Sequence, residues 1–281
     1  MKKTLFGLIV LLLLAACSGK KAKEERDRAL LAKVDSTISQ DSIDSLEQAA
    51  AVVPAKADEL FDDFMYHFGS SSRFQLKRIV FPLKVVNAEN KNTFVPKEEW
   101  THDHLFTQQV YYTLMFDNER DMEIDKDTTI NNVEIEWTYM AKHMKKEYYF
   151  QRIGGRWMLT YVRKYNVEPT KEESFTDFFY KFANDSLYQR EHIQEPLKFI
   201  TTDPDDDFSV LETTMEVDQW FAFRPKLPMN TLTNINYGQK CKNPNARILS
   251  LKGIGNGFNN TLYFKRRGQQ WKLVAFEDMS D

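Results

Sequence analysis

The sequence predicts an α+β protein made of two tandem domains, and three observations carry that reading. The first is an internal repeat. Residues 61–84, FDDFMYHFGSSSRFQLKRIVFPLK, return 114 positions later at 175–198 as FTDFFYKFANDSLYQREHIQEPLK, with no gap and 11 identities over 24 positions. The second is that the same offset reappears downstream, where YYFQRIGGRWML (148–159) matches LYFKRRGQQWKL (262–273). Two distant blocks in one register mean a duplicated domain, and a period of this length suits a whole small domain rather than a solenoid unit. The third is the order of patterns within each repeat, helical spacing first and long alternating runs after, which places helices on one face of an antiparallel sheet.

In chain order, residues 1–17 come first. Lys2 and Lys3 precede an apolar run ending Leu14-Ala15-Ala16-Cys17, too short to span a membrane and shaped as a secretory signal. The small residues before Cys17 resemble a bacterial lipobox, which implies acylation of Cys17 and stable anchoring by more than one chain. Ser18-Gly19-Lys20-Lys21 follows without an Asp at the second position. By resemblance to bacterial lipoproteins this implies the outer membrane, on its periplasmic side. Residues 18–53 are polar, charged and then Ala-rich, with no aromatic residue, and are expected to be a tether. Treated as a flexible coil, it reaches roughly 35 Å.

The first domain is placed at 54–167. Pro54 suits the first turn of a helix, and Leu60, Phe61, Phe64, Met65 and Phe68 give that helix one apolar face. Gly69 and three serines end it. A short helix is expected over 74–80, stopping before Pro82, then a strand over 83–86, a helix over 97–106 and a strand over 110–116. Long strands are expected at 133–143, 147–153 and 157–164, with Gly154-Gly155 as a hairpin turn. The second domain, 168–281, runs alike. Phe175, Phe178, Phe179 and Phe182 line its first helix, Pro196 follows its second, and strands are expected at 246–254, 260–267 and 271–276. Residues 203–239 do not align with their counterpart, so the two halves need not share a ligand.

The order helix, helix, short strand, helix, then hairpins closing on an aromatic strand, a glycine turn and a tryptophan resembles the nuclear transport factor 2-like superfamily. The closing signature carries the match at 150–161 and 264–276. The resemblance implies two cone-shaped domains, each a bent sheet and its helices around a cavity. Signal, tether and twin domains together resemble a family of Bacteroidetes lipoproteins. No particular activity follows, because the superfamily hosts enzymes, carriers and binding modules alike.

Enzymes of that superfamily, of the steroid isomerase and dehydratase types, hold an Asp or a His–Asp pair inside the cone. The acids shared by both repeats are Asp63 and Asp177, with Tyr66 and Tyr180 three residues on. Such a pair suits a hydrogen bond, and a desolvated Asp suits a general base. Asp63 nevertheless lies off the apolar stripe at ~100° per residue, and Asp177 with Lys181 has the spacing of an ordinary ion pair, so structural pairing is the favoured reading. His102 and His104 converge only if their segment is extended; in the expected helix they diverge, and no motif supplies a third metal ligand. Asp203-Pro-Asp-Asp-Asp207 spaces its acids as a calcium loop does. Phe208 stands where the loop's glycine belongs and Thr214 where its bidentate Glu belongs, which favours a solvated turn. Trp157 and Trp271 read as core. Trp137, Tyr139, Trp220 and Tyr237 are the residues expected to line a pocket, aromatics with a polar tip.

Charge and cysteines narrow the function. The net charge is −3; losing Lys2 and Lys3 with the signal leaves 36 of 38 basic residues against 41 acidic ones, or −5. With Lys and Arg scattered along both repeats, no nucleic-acid surface is expected. If Cys17 is acylated, Cys241 has no partner for a disulfide. Lys240 and Lys242 flank Cys241, an arrangement that lowers a thiol pKa, but without a catalytic His motif it reads as a lone thiol. No catalytic constellation, metal or cofactor is assigned. The expectation is a non-enzymatic binding module for a small ligand, peptide or envelope partner. An enzyme with an acid–base site in one cone, and a monomeric scaffold with a built-in pseudo-dimer, stand beside it.

Overall fold

Two phenylalanine-rich helical stripes set where the cores form. The computed structural model describes residue 58 and residues 60–168, 173–239 and 241–281, without the side chains of 207 and 208. The signal segment with Cys17, the tether 18–53, Pro54 and Lys240 lie outside the described residues. Helix α1 (Phe61–Ser70) buries Phe61, Phe64, Met65 and Phe68. Ser71 then turns extended and its hydroxyl accepts the Phe74 N–H, starting the single turn α2 (Ser72–Gln75). Strands β1 (Ile79–Val86), β2 (Asn92–Val95), β3 (Tyr111–Phe116), β4 (Asn132–Tyr139), β5 (Met144–Ile153) and β6 (Arg156–Asn166) complete the first half. In the second half α3 (Phe175–Asn184) and α4 (Ser186–Glu191) precede β7 (Ile193–Asp203), β8 (Asp206–Met215) and α5 (Val217–Phe223). Strands β9 (Thr231–Asn236), β10 (Ala246–Gly253), β11 (Asn259–Arg267) and β12 (Gln270–Asp278) follow.

Three local expectations are corrected. The helix expected over 74–80 ends at Gln75, and β1 starts at Ile79 and runs through Pro82. Proline has no N–H to give a ladder, and the parallel pairing of β1 with β6 slips between Ile79 and Lys84, an irregularity that accommodates it. Pro196 likewise lies inside β7, where pairing with β12 slips between Leu273 and Ala275. The helix expected over 97–106 is one 3-10 turn, Lys97–Glu99. The wholly buried Gln75 explains this: its amide donates to the Phe68 and Asp103 carbonyls and accepts the Asp103 N–H and the Trp100 indole. Those bonds hold 100–103 out of a helix. Gln189 repeats the device, donating to the Phe182 carbonyl and accepting from the Trp220 indole and Arg224.

The strands form two six-stranded sheets, β2-β1-β6-β5-β4-β9 and β3-β10-β11-β12-β7-β8. They are antiparallel except where β6 meets β1 and β12 meets β7. Each sheet takes its edge strand from the other half of the chain. In β4 Ile135 pairs with Ile235 of β9, and in β10 Leu249 pairs with Met115 of β3. One core packs Phe61, Phe64 and Phe68 against Phe150, Trp157 and Leu159; the other packs Phe175, Phe178 and Phe182 against Phe264, Trp271 and Leu273. Each wholly buried phenylalanine contributes about 2–3 kcal/mol. The architecture is α+β, helices against antiparallel-rich sheets.

The described residues of Pro54–Arg152 and Arg156–Asp281 form one compact unit. The hairpin tip turns at Gly154 (φ 57°) and Gly155 (φ 72°), a region closed to most side chains. Among the described residues no helix is long and apolar enough to cross a membrane.

Candidate functional site

The site is a small cleft to which both halves contribute. Asp62, in the first turn of α1, faces Tyr237 just after β9 and Lys252 of β10. Its carboxylate accepts the Tyr237 hydroxyl at 2.6 Å and the Lys252 ammonium at 3.3 Å. Lys252 also reaches Asp125 Oδ2 at 3.0 Å. Beside this network lies a cavity of about 160 Å³ lined by Asp62, Met65, Tyr66, Phe106, Thr107, Tyr112 and Gly253–Gly255. The Phe106 and Tyr112 rings stack 5.2 Å apart at 6°. Gly253 is demanded by the turn that follows it, since a Cβ there meets Asn256 Oδ1 at 2.0 Å and the Phe258 carbonyl at 2.8 Å.

The protonation states follow from burial and charge. Burial, then Asp62, pushes the Tyr112 and Tyr237 phenols up, so both remain neutral, and Tyr237 donates to Asp62. Burial pulls the Lys252 ammonium down, but Tyr112, Asp62 and Asp125 together hold it above its ordinary value. Two carboxylates thus share one ammonium. Asp125 Oδ1 is buried and has no hydrogen-bond partner among the described residues.

A second polar group sits on the core side of the first sheet. There β4 and β5 set Trp137 opposite Lys146 and Ile135 opposite Tyr148. The segment pinned by Gln75 brings Asp103 onto them, where its carboxylate accepts the Tyr148 hydroxyl and lies 3.3 Å from the Lys146 ammonium. Burial works to raise the Asp103 carboxyl, but Lys146, Tyr148 and the Leu105 N–H outweigh it and hold it low. Burial pulls Lys146 down despite Asp103. Burial and Asp103 raise the Tyr139 phenol. The Trp137 ring packs 5.3 Å from Phe106, and its indole N–H is buried without a partner among the described residues. His102 and His104, expected to diverge on a helix, lie with ring centroids 4.2 Å apart because their segment is not helical.

A third group lies on the opposite face of the same two strands, since side chains alternate along a strand. Ligand oxygens of Glu134, Glu136 and Glu147 lie within 4.8 Å of one another. Tyr149 and Tyr165 both donate to Glu147 at 2.5 Å, and Lys145 reaches Glu136 at 2.6 Å. Burial first, then Glu147 and Glu136, pushes the Glu134 carboxyl up to about 7. The Glu134 carboxyl holds or releases a proton near neutral pH.

The other residues singled out from the sequence lie as follows. Tyr66 lines the cleft, half-exposed, and Tyr237 is tied to it through Asp62. Asp63 is exposed, and it forms no hydrogen bond with Tyr66 among the described residues. Asp177 accepts the Ser174 hydroxyl at 2.7 Å and lies 3.5 Å from His143. The expected Asp177–Lys181 pair gives way to Lys181–Glu173 at 2.6 Å, because Ser174 and the start of α3 already engage Asp177. Tyr180 packs on the second core. Trp220 is wholly buried, 5.1 Å from Phe276, and fills core volume. Asp203 accepts the Asp205 N–H in the turn between β7 and β8. Cys241 is exposed; desolvation and the Asp117 carboxylate push its thiol up, against the lowering expected from flanking lysines.

Asp62, Asp103, Lys146, Tyr148 and Lys252 were not singled out by the sequence. One signal was available. Carried 114 positions on, the polar residues of β4 and β5 become apolar or neutral: Glu134 becomes Ile248, Trp137 Leu251, Lys146 Asn260 and Tyr148 Leu262. Polarity kept in one repeat only marks these positions.

A family model described as "Domain of unknown function (DUF4348)" matches residues 40–278. No curated protein matches the chain. Among solved structures, the crystal structure of an NTF2-like protein from Bacteroides fragilis NCTC 9343 is similar at 50% identity, with a TM-score of 0.78. The match covers 82% of this chain and 100% of that one. With two cores, two mixed sheets and the helices laid on them, the chain belongs to the DUF4348 family and has an NTF2-like fold.

Proposed function

We propose that this protein is a non-enzymatic binding module, derived by tandem duplication and anchored through a lipid on Cys17 to the outer membrane, facing the periplasm. Its ligand is a small molecule held in the cleft at Asp62, Tyr66 and Tyr112. One observation carries this reading: a cavity with stacked aromatic rings backs onto a half-buried charge network that only the two halves together supply. Small-ligand sites have this composition, an apolar body with a few placed polar groups. The lipobox sequence and the matching Gln75 and Gln189 devices support anchoring and duplication respectively. Native mass spectrometry of protein purified from its own host tests binding. A bound small molecule lost in Tyr66→Ala is expected; a mass equal to that of the bare acylated chain in every preparation sinks the reading. Cys17→Ser is expected to release the protein from the membrane fraction.

A second reading, an acid–base enzyme, rests on Lys146, whose pKa burial pulls down beside Asp103 and Tyr148. Its mark is a pH–rate profile abolished by Asp103→Asn. The exchange of β3 and β9 supports a third, a built-in pseudo-dimer that sediments as a monomer.

A further inference from the structure

We infer that the cleft selects a small primary ammonium ligand, an alkylamine rather than a carboxylate or a neutral alcohol. This inference deepens the binding reading above and rests on it. Charge is the first ground. Asp62 and Asp125 share the single ammonium of Lys252, and the Tyr112 and Tyr237 phenols are neutral, so the network is net −1. The nearby Glu123 and Lys126 pair with each other at 2.8 Å and add nothing to that balance. A cation entering beside Asp62 completes the neutralisation, and an anion opposes it.

The walls are the second ground. Tyr66, Phe106 and Tyr112 all line the cavity, two of them stacked in parallel. Aromatic faces attract ammonium groups through the ring quadrupole and offer nothing to a carboxylate. Hydrogen-bond supply is the third. Asp62, the acid that lines the cavity, accepts Tyr237 on Oδ1 and Lys252 on Oδ2, while an ionised carboxylate can accept about four bonds. Asp62 therefore keeps lone pairs to spare at the cavity wall, and a primary ammonium brings three N–H donors. The cavity of about 160 Å³ has the volume of about five water-sized groups, which limits the ligand to a short chain.

The test uses the full acylated chain in detergent and three probes of five non-hydrogen atoms each, butylamine, butan-1-ol and propionate, titrated calorimetrically at millimolar concentration and pH 7. Butylamine is expected to bind at least tenfold more tightly than butanol, with propionate weakest. Asp62→Asn is expected to bring amine and alcohol to within about twofold. Tyr66→Ala, at a ring 54% exposed and therefore dispensable to the fold, is expected to weaken the amine severalfold. Thermal unfolding of both variants reports whether either has lost its structure. Butanol or propionate binding as tightly as butylamine, and lost in Tyr66→Ala, overturns amine selection but leaves the binding cleft standing. Amine binding unchanged in both variants overturns the assignment to this cleft. No binding by any probe, together with no bound molecule in protein from its host, overturns both.

Discussion

Thr113 and Thr233 answer each other across the junction of the two sheets: each donates its backbone N–H to the other's hydroxyl at 2.7 Å. The two residues occupy corresponding places in β3 and β9, the strands the halves exchange, and both are buried. A local two-fold relation passes between them, and the chain meets itself there as two subunits of a dimer would.

Replacing either threonine by valine keeps the volume and leaves one buried N–H without an acceptor. The expected cost is about 1–3 kcal/mol, read from the urea midpoint. Thr113→Ser, which keeps the hydroxyl, is expected to lose less.

Gln75→Leu removes four hydrogen bonds that tie α1, Trp100 and Asp103 together. It is expected to destabilise by about 2–4 kcal/mol and to loosen the 100–104 segment, seen as faster amide exchange there. A variant as stable as the parent would show that the glutamine only fills space.

Stability is expected to fall between about pH 4.5 and 7 through Glu134. In the folded chain this carboxyl keeps its proton to about pH 7, whereas the unfolded chain releases it near 4.5. In that window the native state binds more protons, so the contribution present below 4.5 is lost as pH rises through 7. Glu134→Gln stays neutral throughout. It is expected to flatten this slope and to raise stability at pH 8 by about 1 kcal/mol, a figure discounted for solvent screening.

Gly253→Ala drives a methyl into Asn256 and the Phe258 carbonyl. The turn must shift, with a loss of about 1–3 kcal/mol and weaker binding in the cleft that this turn borders.

The sequence spoke clearly where physics is local. The stripes of α1 and α3, the hairpin glycines and the closing strands all stand within a few residues of expectation, since their periodicities need no distant partner. The exchange of β3 and β9 was illegible, because alternation marks a strand without naming its neighbour. The 100–104 segment was misread as helix because the glutamine that holds it extended lies 25 to 28 residues earlier. Searching the repeat for shared residues favoured Asp63, which is exposed. Asp62, whose counterpart is Thr176, was passed over for the same reason.

The strand exchange also governs how the chain folds as it emerges. The edge of β4 stays open until β9 arrives about a hundred residues later, and β3 waits still longer for β10. An N-terminal fragment ending at 167 therefore has an unpaired sheet edge and a homeless β3, the hallmarks of an aggregation-prone intermediate. The first half must therefore be kept from premature association until the last third of the chain has been made. Supplied as two separate polypeptides, the halves would each lack what the other carries, and they would have to assemble by complementation rather than fold alone.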